Sequence, residues 1–275
     1  MYWKYINSGW KLRTQPKIKF DHKRRRVLVY FMFEKEIQQM SNPITSISVD
    51  INENNVTVKV RNKVFVLLTD IRKITLGYSK YREITQTLKG SKHLKRTLQN
   101  NEKNKKKDRK LKLANIITNI AKQMKAAVIL ERLPKKCPEN MIKKIYDKKL
   151  RHRIYQAGFR TLLKTIEEKC LEKEILVVKV NPRGTSSTCP YCGSRLMRGD
   201  APRLLYCKKC GRKIGKDVVA VLNIEKKATQ KGRVPFAPMP NETPLEVAVL
   251  PMKEWMRRKS LLLTQNKPIL TEMKR

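Results

Sequence analysis

Alternation and helical periodicity divide the chain into a strand meander followed by repeated helix–strand units. In ITSISVD, residues 44–50, Ile47 and Val49 alternate with Ser46, Ser48 and Asp50. That period of two predicts a strand with Asp50 on the face opposite the apolar pair. NENN at 52–55 is a turn cluster, and Val56, Val58 and Val60 then alternate in a second strand. Arg61-Asn62-Lys63 turns the chain into a third strand, 64–68, which completes an antiparallel meander. Further on, Leu113, Ile116, Ile117, Ile120 and Met124 form one apolar stripe of an amphipathic helix. It leads into AAVIL, 126–130, an unbroken apolar run that suits a parallel strand buried on both faces. The run stops at Glu131, and Pro134 ends the element. The unit then recurs: Phe159, Leu162, Leu163, Ile166 and Cys170 make a helical stripe, and 175–180 a second buried run closed by Pro182. A last helix begins near Asp217 with Val218, Val221 and Leu222 on one side. Upstream, 17–20 and 27–33 are strand-like within a basic, aromatic N-terminal region too short for a domain. Four prolines between 235 and 244 open a basic tail, 231–275, expected to be extended or mobile.

Charge adds a partner to this outline. With 64 Lys or Arg against 23 Asp or Glu, the formal charge is +41, and nucleic acid is the first polyanion to consider. The run from Lys80 to Lys112 holds thirteen of the basic residues and three acids. It reads either as a solvated helix face or linker, or as a phosphate-contacting segment, with Lys105, Lys106, Lys107, Arg109 and Lys110 as the nucleic-acid-binding candidates. An anionic membrane surface is the rival partner, but no stretch reaches the roughly 18 apolar residues of a spanning helix. The basic cluster 22–26 followed by seven apolar residues mimics a signal peptide, yet it starts late, meets Glu34-Lys35-Glu36 and lacks a cleavage site. An intracellular, reducing compartment is expected, cytoplasmic in a prokaryote.

Cysteine spacing supplies the sharpest local signal. Cys189/Cys192 and Cys207/Cys210 are two C-x2-C pairs separated by fourteen residues, with Gly193 and Gly211 directly after each pair. Four thiolates brought together this way suit a structural, tetrahedral Zn²⁺. Two disulfides, a redox C-x-x-C or unrelated core thiols are the alternatives, and a redox dithiol needs only one pair. Cys137 and Cys170 are left over as structural or incidental residues.

In so basic a chain, acids that end buried strands call for an explanation. Asp50 and Glu131 each end one, and Asp217 opens the last helix seven residues after Cys210. If the two strands lie side by side with the helix across them, the three carboxylates converge at one end of a sheet. Mutual repulsion would partly neutralise them unless a multivalent cation such as Mg²⁺ or Mn²⁺ holds them. Two such ions about 4 Å apart can stabilise the attacking water and the leaving oxygen of a phosphodiester. The simpler readings are turn chemistry for Asp50, an ion pair with Arg132 or a lysine for Glu131, and helix capping for Asp217.

These motifs together resemble those of the TnpB (OrfB) proteins of bacterial and archaeal insertion sequences, relatives of the type V CRISPR effector nucleases. The resemblance covers roughly residues 44–228 and rests on ISVDINENN, VILERL, NPRGTSSTCPYCGS, YCKKCG and GKDVVAVLNI. It implies an α/β, RNase H-like (RuvC-like) fold whose mixed sheet and helices carry an inserted four-cysteine zinc ribbon. It also implies a transposon-associated, metal-dependent DNA endonuclease, with Asp50, Glu131 and Asp217 as the catalytic, magnesium-binding acids. DNA and a guide RNA are the implied partners, with no membrane. The expected division is a wedge-like remnant at 1–43, nuclease core at 44–186, ribbon at 187–213, last core helix at 214–230 and tail at 231–275. Three departures stand out: Asn52 replaces the usual small residue two after the first acid, Val219 replaces the usual Asn two after the last, and only about 46 residues precede the first motif. The rival expectation is therefore a truncated, catalytically inactive remnant that binds DNA or RNA through its ribbon or regulates transposition.

Overall fold

The computed structural model describes residues 2–13, 15–37, 42–88, 92–134, 136–143, 145–230, 232, 234 and 245–257. Two compact units divide the chain, Met1–Gln39 and Met40–Arg275. In the first, α1 (Tyr2–Ile6) precedes β1 (Lys11–Leu12), β2 (Lys17–Asp21), β3 (Arg26–Tyr30) and β4 (Phe33–Glu34). β2 and β3 form an antiparallel hairpin, and β1 pairs with β4.

The second unit is built on a six-stranded sheet. Its members are β5 (Thr45–Ile51), β6 (Asn55–Val60), β7 (Lys63–Leu68), β8 (Ala126–Glu131), β9 (Val177–Val180) and a late strand at Glu246–Leu250. The late strand, numbered β13, lies at one edge in the order β13-β7-β6-β5-β8-β9. β5, β6 and β7 are the antiparallel meander that alternation predicts, while β8 and β9 add in parallel. The connections are α2 (Ile71–Thr87) and α3 (Lys92–Gln123) before β8, then α4 (Cys137–Ile142), α5 (Lys148–Ala157) and α6 (Phe159–Glu172) before β9.

The run AAVIL alternates between the two sheet faces. Ala126, Val128 and Leu130 join the core under α3 and α6, with Leu113, Ile117, Leu162 and Ile166. Ala127 and Ile129 face the other way, onto α7 (Lys216–Thr229), where Ile224 and Ala228 cover them. That is why the strand shows no polar alternation: both faces are buried.

Between β9 and α7 a small antiparallel sheet is inserted, β10 (Met197–Arg198), β11 (Leu204–Tyr206) and β12 (Lys213–Gly215). Its core contains Cys189, Leu196 and Cys207 together with Val219 of α7. Val219 thus has a packing role, as the apolar contact that seats the ribbon on the last helix.

The C-terminal segment departs from the extended tail expected of it. β13 pairs in parallel with β7, and α8 (Met252–Arg257) brings Trp255 into the main core with no exposure. Trp255 Nε1 donates to the carbonyl of Leu68 at 2.9 Å. VAVL after the proline cluster is short and flanked by charge, but an open sheet edge and one large aromatic side chain are enough to order it. The rest of the expected tail lies outside the described residues. Among the described residues, no helix is long and apolar enough to cross a membrane.

Candidate active site and metal centre

Parallel register brings the first two acids together. Ser48 pairs with Ile129, so Asp50 and Glu131, each two residues further on, leave the ends of adjacent strands at the same level. α7 crosses this sheet face and presents Asp217 from its first turn. All three carboxylates line one cavity of about 440 Å³, which Asn52 and Arg203 also line.

The acids are held by specific donors. Asn52 Nδ2 lies 2.7 Å from Asp50 Oδ2 and 3.1 Å from Asp217 Oδ1, so one amide group bridges both. Asn55 Nδ2 donates to Asp217 Oδ2 at 3.3 Å. Arg203, from the turn between β10 and β11, places Nε 3.2 Å from the same oxygen and pairs its second nitrogen with Asp217 Oδ1. Asp217 is therefore engaged across the cavity rather than capping its own helix. Thr185 Oγ1 donates to Glu131 Oε1 at 2.6 Å, and Asn223 of α7 fixes the backbone around it through the carbonyls of Thr185 and Thr188. The turn that carries Asn52 is anchored by a bidentate pair, Arg153 Nε and Nη2 to Glu53 at 2.8 and 3.0 Å.

Burial dominates the electrostatics. It pushes the Asp50 carboxyl up to about 7, with the nearby Glu131 charge adding to the shift and the Asn52 hydrogen bond opposing it. Burial also raises Glu131, against the Thr185 hydrogen bond and the Lys227 charge. The donor set of carboxylate and amide oxygens suits a hard divalent cation.

The second centre is made of sulfur. Cys189, Cys192, Cys207 and Cys210 bring their Sγ atoms within 4.8 Å of one another, the only group of potential ligands among the described residues to come so close. The three acids are more open than that. Tetrahedral zinc with Zn–S near 2.3 Å needs sulfurs about 3.8 Å apart. Cys189 and Cys210 stand at 3.8 Å, and Cys192 and Cys207 at 3.4 Å, so the cluster can hold a metal such as zinc. Gly193 and Gly211 adopt φ of +75° and +67°, and their N–H groups close the knuckles on the carbonyls of Cys189 and Cys207. Ser194 Oγ lies 3.1 and 3.0 Å from the sulfurs of Cys192 and Cys207. Its hydrogen bond leads the effects that bring the Cys207 thiol down to about 6, while Cys210, against a backbone hydrogen bond from Arg212, is pushed up to about 11 by the neighbouring sulfurs.

The basic run divides by burial. Lys105 and Lys107 are exposed, but Lys106 and Lys110 are each only 6% exposed and point into the protein. Lys106 pairs with Glu102 at 2.6 Å and Lys110 donates to the carbonyl of Gly158 at 3.1 Å, and both line a cavity rather than the outer surface. Arg109 is partly buried beside Asp108. A helix of period 3.6 turns positions 102, 106 and 110 to one side, and α5 and α6 cover that side.

Sequence comparison adds descent to this geometry. The family described as Cas12f1-like, TNB domain matches residues 159–224. MJ0856.1 of Methanocaldococcus jannaschii, whose name assigns it to the transposases, is 40% identical over 106 residues, 36% of this chain and 95% of its own length. The TnpB-like protein MJ0751 of the same organism is 31% identical over 197 residues, 67% of this chain and 69% of its own. The chain belongs to the TnpB family. Among solved structures, a CRISPR-Cas12f ternary complex matches with a TM-score of 0.50 at 20% identity, over 81% of this chain and 47% of that one. The TnpB fold here is accordingly α/β and RNase H-like, a mixed sheet with helices and an inserted four-cysteine ribbon. The chain spans about half the length of that solved structure.

Three contacts of the site carry no functional signal of their own in the sequence: Arg203, Asn55 and the Glu53–Arg153 pair. Asn52 stands out in sequence only as a departure from the family pattern. A signal exists for Thr185, inside the TSST run. Arg203 lies fourteen residues before Asp217 in sequence, and only the ribbon's turn brings the two together.

Proposed function

We propose that this TnpB-family chain is a divalent-metal-dependent DNA endonuclease of a transposable element that hydrolyses phosphodiester bonds under the direction of a guide RNA. The observation that carries this reading is the convergence of Asp50, Glu131 and Asp217 in one cavity at the strand ends of an RNase H-like sheet. On this reading residues 44–186 and 214–230 form the nuclease core and 187–213 the zinc ribbon. Asp50, Glu131 and Asp217 would hold Mg²⁺ or Mn²⁺, which supplies an activated water and charge stabilisation at the leaving oxygen. Asn52 keeps Asp50 and Asp217 at a fixed separation, and Thr185 orients Glu131 by its short hydrogen bond. Arg203 neutralises Asp217 at the mouth of the cavity, where a guanidinium is also placed to meet a phosphate. Exposed Lys105 and Lys107 would contribute to the backbone contacts expected of a +41 chain.

The test is cleavage of single- and double-stranded DNA by purified, zinc-loaded protein, with Mg²⁺ or EDTA, beside Asp50→Ala and Asp217→Ala. Metal-dependent cutting lost in both variants is expected. Cutting that survives Asp217→Ala would falsify the assignment. A second reading, binding without cutting, is favoured by one observation: Asn52 and Arg203 already engage Asp50 and Asp217. It predicts tight, salt-sensitive binding by all three proteins and cleavage by none.

A further inference from the structure

A second cavity of about 890 Å³ lies between α2, α3, α5 and α6 and shares no lining residue with the acidic site. Seven Lys or Arg residues line it against two Glu, Glu102 and Glu168. One carboxylate, Glu102, is divided between two cations: one oxygen takes Lys106 Nζ at 2.6 Å and the other pairs with Arg82. Lys106 Nζ also reaches Gln156 Oε1 at 3.2 Å. Glu168 is engaged by Lys164 at the rim, at 3.5 Å.

Lys110 is different. Its ammonium, with three donors, meets a single acceptor, the carbonyl of Gly158, and has no carboxylate within ion-pair distance among the described residues. Gly158, the left-handed residue between α5 and α6 (φ +61°), has no side chain to occupy the space in which Lys110 Nζ reaches its carbonyl. A buried cation without a counter-charge is costly to keep in a fold. Correspondingly, burial and then the Lys106 charge press the Lys110 ammonium down to about 8.

We propose that this groove is a binding site for a phosphate-type oxyanion, with Lys110 as its innermost cation and Lys106, Arg82 and Gln156 as its wall. The anion supplies the charge that Lys110 lacks and accepts its two remaining N–H donors. The rim lysines 95, 103 and 107, with no ion pair among the described residues, attract it. Phosphate as a free ion and phosphate carried by a nucleic-acid strand present the same chemistry. The inference does not depend on catalysis at the three acids.

The experiment titrates inorganic phosphate into zinc-loaded protein at constant ionic strength, read by calorimetry and by thermal unfolding. Wild type is expected to bind about one phosphate saturably, with Lys110→Met weakening it at least tenfold and Asp50→Ala leaving it unchanged. Should Lys110→Met fail to fold, Lys110→Gln, which keeps a polar end, reads the same loss. Competition then identifies the source. Displacement by a 5′-phosphorylated oligonucleotide but not by its unphosphorylated twin assigns a terminal phosphate, equal displacement by both assigns the strand backbone, and displacement by neither assigns the free ion. Phosphate binding with wild-type affinity and stoichiometry in both Lys110 variants overturns the proposal, leaving only diffuse attraction to a highly basic surface.

Discussion

Removing one partner of the Lys59–Glu225 pair should cost more stability than any other single charge change in the second unit. Lys59 on β6 and Glu225 on α7 approach to 2.6 Å with side chains only 3% and 4% exposed. The other Glu225 oxygen accepts from Ser46 Oγ on β5 at 3.3 Å, so one carboxylate ties the helix to two strands. Glu225→Leu leaves the Lys59 ammonium buried without a counter-charge, and Lys59→Met leaves the carboxylate with a lone hydroxyl donor. Breaking a buried pair from one side costs about 3–5 kcal/mol, whereas replacing both partners by apolar groups is often neutral or stabilising. Each single variant should therefore lose about 3–5 kcal/mol, a large part of the 5–15 kcal/mol typical of a folded protein. Lys59→Met/Glu225→Leu should recover most of the loss. Urea unfolding followed by circular dichroism, at fixed zinc concentration, gives the four free energies of the cycle. Single variants within about 1 kcal/mol of wild type, or a double variant as unstable as the sum of the singles, would refute the reasoning.

Three further outcomes are expected. Because the folded-state value of Asp50 lies near 7, above its ordinary 3.8, the folded state retains a proton that the unfolded chain has released. Metal-free protein should thus lose stability as pH rises from about 4 to about 7, by up to about 4 kcal/mol, and urea midpoints for Asp50→Asn should be much flatter across that window. Chelation should release about one equivalent of zinc and disorder the ribbon, read by a metallochromic dye and by loss of amide protection in 189–211. Cys207→Ser should do the same without chelator. Trp255→Ala should cost about 3–5 kcal/mol in urea unfolding, because it empties a fully buried site and leaves the Leu68 carbonyl unpaired.

Periodicity made the meander and the helix–strand units legible because apolar and polar positions fall on opposite faces of the meander strands, although α7 buries the polar face as well. Ile47 and Val49 alternate with Ser46 and Ser48, and AAVIL is buried on both sides. Local pattern fails where the structure depends on distant partners. Nothing near Lys106 and Lys110 in sequence shows that α5 and α6 will bury them. VAVL at 247–250 is a strand only because β7 offers an open edge. The cysteine pairs were readable from spacing alone, since four soft ligands on two knuckles leave few alternatives. The acids were readable only jointly, each having an ordinary explanation in its own sequence neighbourhood. What decides for Asp217 is that its contacts run to Asn52, Asn55 and Arg203.

One helix links these separate observations. α7 sends Val219 into the ribbon core, Asn223 to the loop that carries Thr185, Glu225 to Lys59, and Ile224 and Ala228 onto β8 and β9. A slip of one residue turns a helix by about 100° and would break all of these contacts together. The position of Asp217 is therefore set by burial elsewhere on the helix more than by anything in the cavity. This explains how three carboxylates can be kept near one another against their repulsion: the cost is offset by a buried ion pair, a ribbon contact and an apolar seam on the same rigid element. It also sets the order of failure. A substitution that loosens α7 on the sheet, such as Glu225→Leu, should disturb the acids while the cysteine cluster still holds metal, whereas loss of zinc should free Arg203 from Asp217 and leave the sheet intact.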